Sequence, residues 1–209
     1  MMNRLDAHLP ITSRFNIPVT TQQVEDMLLG AVMSQVKRRR MTFVNNEQLQ
    51  NQLRQMAEWL TTDDHKCCCI LCGLYGNGKS TLVKALQQLV NYLDLKDEYD
   101  NRRWSFRILD AKEIAWMCRE ERKEWNELRY VKMLAIDDLG TEPVEVMDYG
   151  NKQNPVIDLL YKRYDNQLTT IITTNLQPKV ISEIYGERIA DRLREIAHTI
   201  VFENKSYRK

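Results

Sequence analysis

Residues 73–80 read Gly-Leu-Tyr-Gly-Asn-Gly-Lys-Ser, and they lie between an apolar run, 67–72, and a stretch of helical periodicity, 81–93. The spacing GxxxxGK[ST], in the order strand, glycine loop, helix, predicts a parallel α/β sheet with a phosphate cradle where its first strand ends. Gly73, Gly76 and Gly78 let the chain close around an anion with its N–H groups inward, and the helix that follows adds the positive end of its dipole. Asn77, Ser80 and Thr81 complete the expected cofactor-binding loop. Lys79 is expected to reach the β- and γ-phosphates, and the Ser80 hydroxyl to ligate Mg²⁺. An ordinary glycine turn is the bland alternative, which the flanking strand and helix disfavour.

A phosphate loop alone names no reaction. Residues 131–140, Val-Lys-Met-Leu-Ala-Ile-Asp-Asp-Leu-Gly, supply a second element: a buried-strand pattern that ends in two adjacent carboxylates. In a parallel sheet covered on both faces those carboxylates emerge at the C-terminal edge, where α/β sheets hold ligands. Asp137 is expected in the Mg²⁺ shell, and Asp138 is expected to orient or deprotonate a water; two acids opening a turn before Gly140 would look the same. A further apolar strand ends at Asn175, whose amide suits a lytic water or a γ-phosphate but also suits a plain strand end. Arg188 and Arg192 stand four apart, hence on one helix face. That face is either solvated or offers an arginine to a neighbouring subunit's γ-phosphate.

The 209 residues suit one core of about 150 residues and a smaller appendage. With 43% hydrophobic and 28% charged residues the composition is that of a globular protein. No apolar stretch approaches bilayer length and residues 1–10 lack the apolar segment of a secretory signal, so the expected location is cytoplasmic. A net charge of +1 gives no global pull on nucleic acid, which leaves such contacts to local patches. Cys67, Cys68, Cys69 and Cys72 invite a zinc reading, but no second ligand pair follows. Adjacent strand positions also point to opposite faces, so these cysteines read as small buried hydrophobes.

Upstream, Thr20 and Gln23 fit a capping box for a helix over 20–36, and a second apolar helical face spans 46–61. Lys37, Arg38, Arg39 and Arg40 follow the first helix, either to complement its dipole or as a docking or nucleic-acid patch. We place a boundary near 41–45, giving a helical partner-docking segment, 1–44, and a core, 45–209. Strands are predicted near 67–72, 105–109, 132–136, 168–174 and 199–203, and helices near 79–93, 111–128, 153–166 and 186–196.

The phosphate loop, the stretch Leu-Ala-Ile-Asp-Asp-Leu-Gly-Thr-Glu-Pro at 134–143, Thr-Thr-Asn at 173–175 and Gly-Glu-Arg-Ile-Ala-Asp-Arg-Leu at 186–193 together resemble the DnaC/IstB group of AAA+ ATPases, over roughly residues 45–209. That group contains replicative-helicase loaders and transposition helpers. The resemblance implies a five-stranded parallel P-loop sheet flanked by helices, without a C-terminal helical lid and preceded by a short helical segment. It implies Asp137 as the Walker B metal residue, Asp138 as the catalytic acid, Asn175 as the sensor 1 residue and Arg192 as the trans arginine, with Arg188 as runner-up. It also places Arg208 near nucleotide, and it assigns 111–129 to a helical insertion that touches single-stranded DNA through Lys112, Trp116, Arg119, Arg122 and Lys123. Five interleaved glutamates make a merely solvated helix an equal reading.

The resulting expectation is a Mg²⁺-dependent ATPase that assembles as a nucleotide-dependent oligomer on single-stranded DNA and serves a replicative hexameric helicase. A transposition helper that recruits a transposase, a small-molecule kinase and a non-hydrolysing adaptor are the rivals. A kinase would need an acceptor pocket and an arginine-rich lid, and no such lid segment is visible in the sequence.

Overall fold

Residues 14–63, 65–98, 100–148 and 150–207 are described by the structure, a computed structural model of the chain. In chain order the elements are α1 (Thr21–Arg38), α2 (Glu47–Thr61), β1 (Cys68–Gly73), α3 (Lys79–Leu93), β2 (Phe106–Asp110), α4 (Ala111–Glu120), α5 (Arg122–Leu128) and β3 (Met133–Leu139). Then come β4 (Val146–Asp148), β5 (Asn151–Gln153), α6 (Pro155–Asp165), β6 (Thr169–Thr174), α7 (Pro178–Tyr185), α8 (Glu187–Ile196) and β7 (Ala197–Phe202). The anticipated strands form one parallel sheet in the order β2-β3-β6-β1-β7. The loop after β1 therefore opens beside the ends of β6 and β3, where strand order switches direction and ligands bind.

Helices cover both faces, which explains why the strands read as continuous apolar runs. Cys69 and Leu71 of β1 pack into a cluster with α1, α2 and α3, while Cys68 and Ile70 pack into the opposite cluster with α4 to α8. The cysteines thus serve both core faces, and burial raises the pKa of the Cys67, Cys68, Cys69 and Cys72 thiols. All six residues of β6, four of them threonine, are buried. Threonine is tolerated there because its hydroxyl finds a carbonyl: Thr170 donates to Leu168 O and Thr174 to Leu139 O, each at 2.8 Å.

The capping box at Thr20 and Gln23 starts α1 as expected. Phe15, Ile17, Val24 and Leu28, all from the segment 1–44, lie in the same apolar cluster as Leu82 and Leu86 of α3. Four local features differ from the sequence reading. Pro155 opens α6 two residues later than predicted, since a proline donates no N–H and suits the first helical position. The predicted helix 111–128 breaks at Glu121, whose φ and ψ are −130° and 53°. The eight-residue α7 and the antiparallel β4–β5 ribbon, whose strands are three residues each, are too short to leave a periodic signal. Among the described residues β7 is followed only by irregular chain to Tyr207, and Arg208 lies outside them. No helix among the described residues is long and apolar enough to cross a membrane.

Candidate functional site

The glycine loop closes because its glycines adopt backbone angles other residues avoid. Gly73 has φ +148°, and a Cβ there would stand 2.3 Å from Phe202 O of β7. Gly78 caps the N-terminus of α3 at φ +102° without a side-chain hydrogen bond, which leaves the first N–H groups of the helix to face the loop's interior. A cavity of about 210 Å³ opens there. Gly76 to Leu82, Asp138, Asn175, Val36, Met41 and Phe43 line it.

Lys79 is only 5% exposed, and its ammonium lies at the centre of the loop. Nζ donates to Gly73 O, Leu74 O and Asn175 Oδ1, each at 2.8 Å, and to Asn77 Oδ1 at 3.1 Å. The lysine thus joins the end of β1 to the end of β6. Asn77, 1% exposed, also donates to Phe202 O at 2.8 Å and so fixes the loop to β7. The same ammonium opposes the burial that raises the Cys72 pKa.

The two-acid tip of β3 lies alongside. Ser80 Oγ donates to Asp137 Oδ1 at 2.9 Å, and Thr173 Oγ1 donates to the same oxygen at 2.6 Å. Thr173 Oγ1 also accepts from the Asp138 N–H at 2.8 Å. The β3–β6 register shifts between Ile136 and Leu139, and Asp138 takes φ +56° in that irregularity. A bulge of this kind re-aims a side chain, and here Asp138 turns to the cavity while Asp137 faces Ser80. Gly140 at φ +102° ends the strand, where a Cβ would meet Leu176 Cδ1 at 2.5 Å. Glu142 accepts from Gly140 N at 2.8 Å and from the Tyr185 hydroxyl at 2.5 Å, so the loop after β3 is tied to the end of α7. Burial, and then this contact with Glu142, push the Tyr185 pKa up.

Gly73, Gly76, Asn77, Gly78, Lys79, Ser80, Thr81, Asp137, Asp138 and Asn175 are therefore gathered at one place. Arg192 is not among them: on α8 it lies 4.7 Å above Tyr161 and 4.4 Å above Tyr164, with Asp165 Oδ1 at 3.4 Å. Arg188 stacks on Tyr161 as well. On the predicted insertion, Trp116 is exposed whereas Trp125 is buried beneath Arg129. The sequence reading missed four contributors: Thr173, Arg39, Tyr207 and Asn204. Tyr207 N–H donates to Gly76 O at 2.9 Å and Asn204 Nδ2 to Asn77 O at 3.0 Å, so the segment after β7 braces the loop. Thr173 carried a signal, since it precedes Asn175 by the two-residue strand period.

A serine hydroxyl and a carboxylate are hard oxygen donors of the kind Mg²⁺ takes alongside phosphate oxygens and water. Among the described residues no group of three or more His, Cys, Asp or Glu side chains is placed to hold a metal by itself. The donor set accordingly fits an ion that arrives with a polyphosphate.

No protein-family model and no curated protein sequence matches the chain. Solved structures do. The DnaC helicase loader shares 20% identity at TM-score 0.56, over 78% of this chain and 94% of that one. A putative primosome component from Streptococcus pyogenes shares 19% identity at TM-score 0.58, over 78% and 84%. AMPPCP-bound DnaA from Aquifex aeolicus shares 17% identity at TM-score 0.51, over 78% of this chain but 50% of its own length. With its strand order, loop and two-acid tip, the chain has the P-loop AAA+ fold of the DnaC type.

Proposed function

We propose that this chain is a Mg²⁺-dependent ATPase of DNA replication, acting as a helicase loader in the form of a nucleotide-dependent oligomer on single-stranded DNA. The observation that carries the reading is the Ser80 Oγ–Asp137 Oδ1 contact at 2.9 Å beside an ammonium held between the loop and Asn175. In P-loop ATPases those groups handle metal, phosphate and water.

Catalysis would come from placement and charge rather than from covalent chemistry. Backbone N–H groups of the loop and of the α3 N-terminus would hold the phosphates, and Lys79 would exchange its carbonyl partners for β- and γ-oxygens. Ser80 and Asp137 would hold Mg²⁺, which when bound neutralises charge on the phosphate oxygens. Asp138 would take the proton of an attacking water that the Asn175 amide orients. Arg192 lies outside its own chain's cavity, so its contribution would be to a neighbouring copy, with Arg188 beside it. The segment 1–44 would carry the helicase-docking surface, and helices α4 and α5 the single-strand contact.

Sedimentation of the full chain tests this reading. Assembly is expected only with both a non-hydrolysable ATP analogue and an oligonucleotide, and Lys79→Ala is expected to abolish both assembly and ATP turnover. A persistent monomer under all conditions, or wild-type turnover in Lys79→Ala, would overturn it.

A further inference from the structure

The basic run at the end of α1 does not simply project into solvent. Arg40 N–H donates to Lys37 O at 2.9 Å and Met41 N–H to Val36 O at 3.2 Å, the paired bonds of a left-handed helix stop. Glycine usually occupies that stop, yet Arg40 adopts φ +56°. The turn folds the chain back so that Val36, Met41 and Phe43 line the same cavity as the glycine loop. It also carries Arg39 to the cavity rim, where its guanidinium donates to Thr81 Oγ1 at 3.2 Å. Among the described residues no carboxylate pairs with Arg39.

Direction along the cavity follows from helix geometry. Ser80 and Thr81 are successive residues of the first turn of α3, so their side chains diverge by about 100°. Ser80 Oγ donates to Asp137, whereas Thr81 Oγ1 accepts from Arg39. A nucleotide whose terminal phosphates lie at Lys79 and Asn175 and whose base lies on Phe43 passes its first phosphate by Thr81.

We infer that Arg39 is a phosphate-binding residue for the α-phosphate of a nucleoside di- or triphosphate, so that a bound nucleotide fastens the end of α1 to the loop. The inference rests on the nucleotide-binding reading above and assigns this arginine to the cavity rather than to a nucleic-acid patch. ADP and ATP share the α-phosphate. Arg39→Gln in the full chain is therefore expected to weaken both by about tenfold, the loss of one exposed charge-assisted hydrogen bond. Arg39→Lys should recover part of the loss, and Arg40→Gln should bind as wild type. Amide exchange at 36–41 should slow on adding ADP in wild type and not in Arg39→Gln. Wild-type affinity for both nucleotides in Arg39→Gln, while Lys79→Ala has lost them, would overturn the inference and leave the ATPase reading standing. Nucleotide affinity unchanged in Lys79→Ala would sink that reading and this inference together. Weakened oligonucleotide binding with unchanged nucleotide binding in Arg39→Gln would overturn it in favour of a nucleic-acid contact.

Discussion

Asn204 offers a quantitative test of how the glycine loop is held. It is 3% exposed, and it links two elements distant in sequence. Its Oδ1 accepts from Gln52 Nε2 of α2 at 2.9 Å, and its Nδ2 donates to Asn77 O in the loop at 3.0 Å. Asn204→Ala strips the partner from both groups. A buried polar group left without its partner costs about 1–3 kcal/mol, so the two together predict a loss of about 2–6 kcal/mol. Gln52 is itself only 2% exposed, so bulk water is not at hand to take the place of Asn204 Oδ1. Urea unfolding measures the loss directly. A cycle with Gln52→Leu apportions it, because in that background Asn204→Ala has one fewer group to orphan and should cost about 1–3 kcal/mol less. A loss below about 0.5 kcal/mol, the scale of a neutral surface substitution, would refute the bracing role.

Two further outcomes follow from buried groups. Arg163 is 2% exposed and donates to Val131 O, Thr169 O and Thr170 Oγ1; burial lowers its pKa to about 9. Arg163→Met orphans two carbonyls and should destabilise by about 2–6 kcal/mol in urea, whereas a gain in stability would refute the role assigned to the guanidinium. His198 on β7 has its pKa lowered by burial, with Lys66 and His65 acting in the same direction and Glu58 against them. A base with a depressed folded pKa is harder to protonate folded than unfolded. The urea midpoint should therefore be flat above about pH 6.5 and fall as pH drops below it, with a shallower slope in His198→Gln. An equal slope in the variant would contradict this.

The glycine loop, both acids of β3 and Asn175, which the structure brings together, were legible in the sequence because each is local. A glycine spacing or a strand-ending carboxylate is set by neighbours in the chain, and the parallel sheet then brings the strand ends together. The strands were legible for the same reason, since burial on both faces writes a continuous apolar run. What was hidden is long-range. Arg39 meets Thr81 across 42 residues, Gln52 meets Asn204 across 152, and Asn204 meets Asn77 across 127. No local pattern records such pairs. The apolar stripe of α1 likewise does not name its partner in the sequence; Val24 and Leu28 lie in one cluster with residues of α3. The two three-residue strands and α7 fall below the length at which periodicity can be read.

The most direct measurement is a crystal structure of the full chain with Mg²⁺ and a non-hydrolysable ATP analogue. The account predicts the β-phosphate among the amides of Gly76 to Ser80, the metal ion on Ser80 Oγ and Asp137, and the base against Phe43. Density for the nucleotide elsewhere, or a metal site that omits both Ser80 and Asp137, would contradict it.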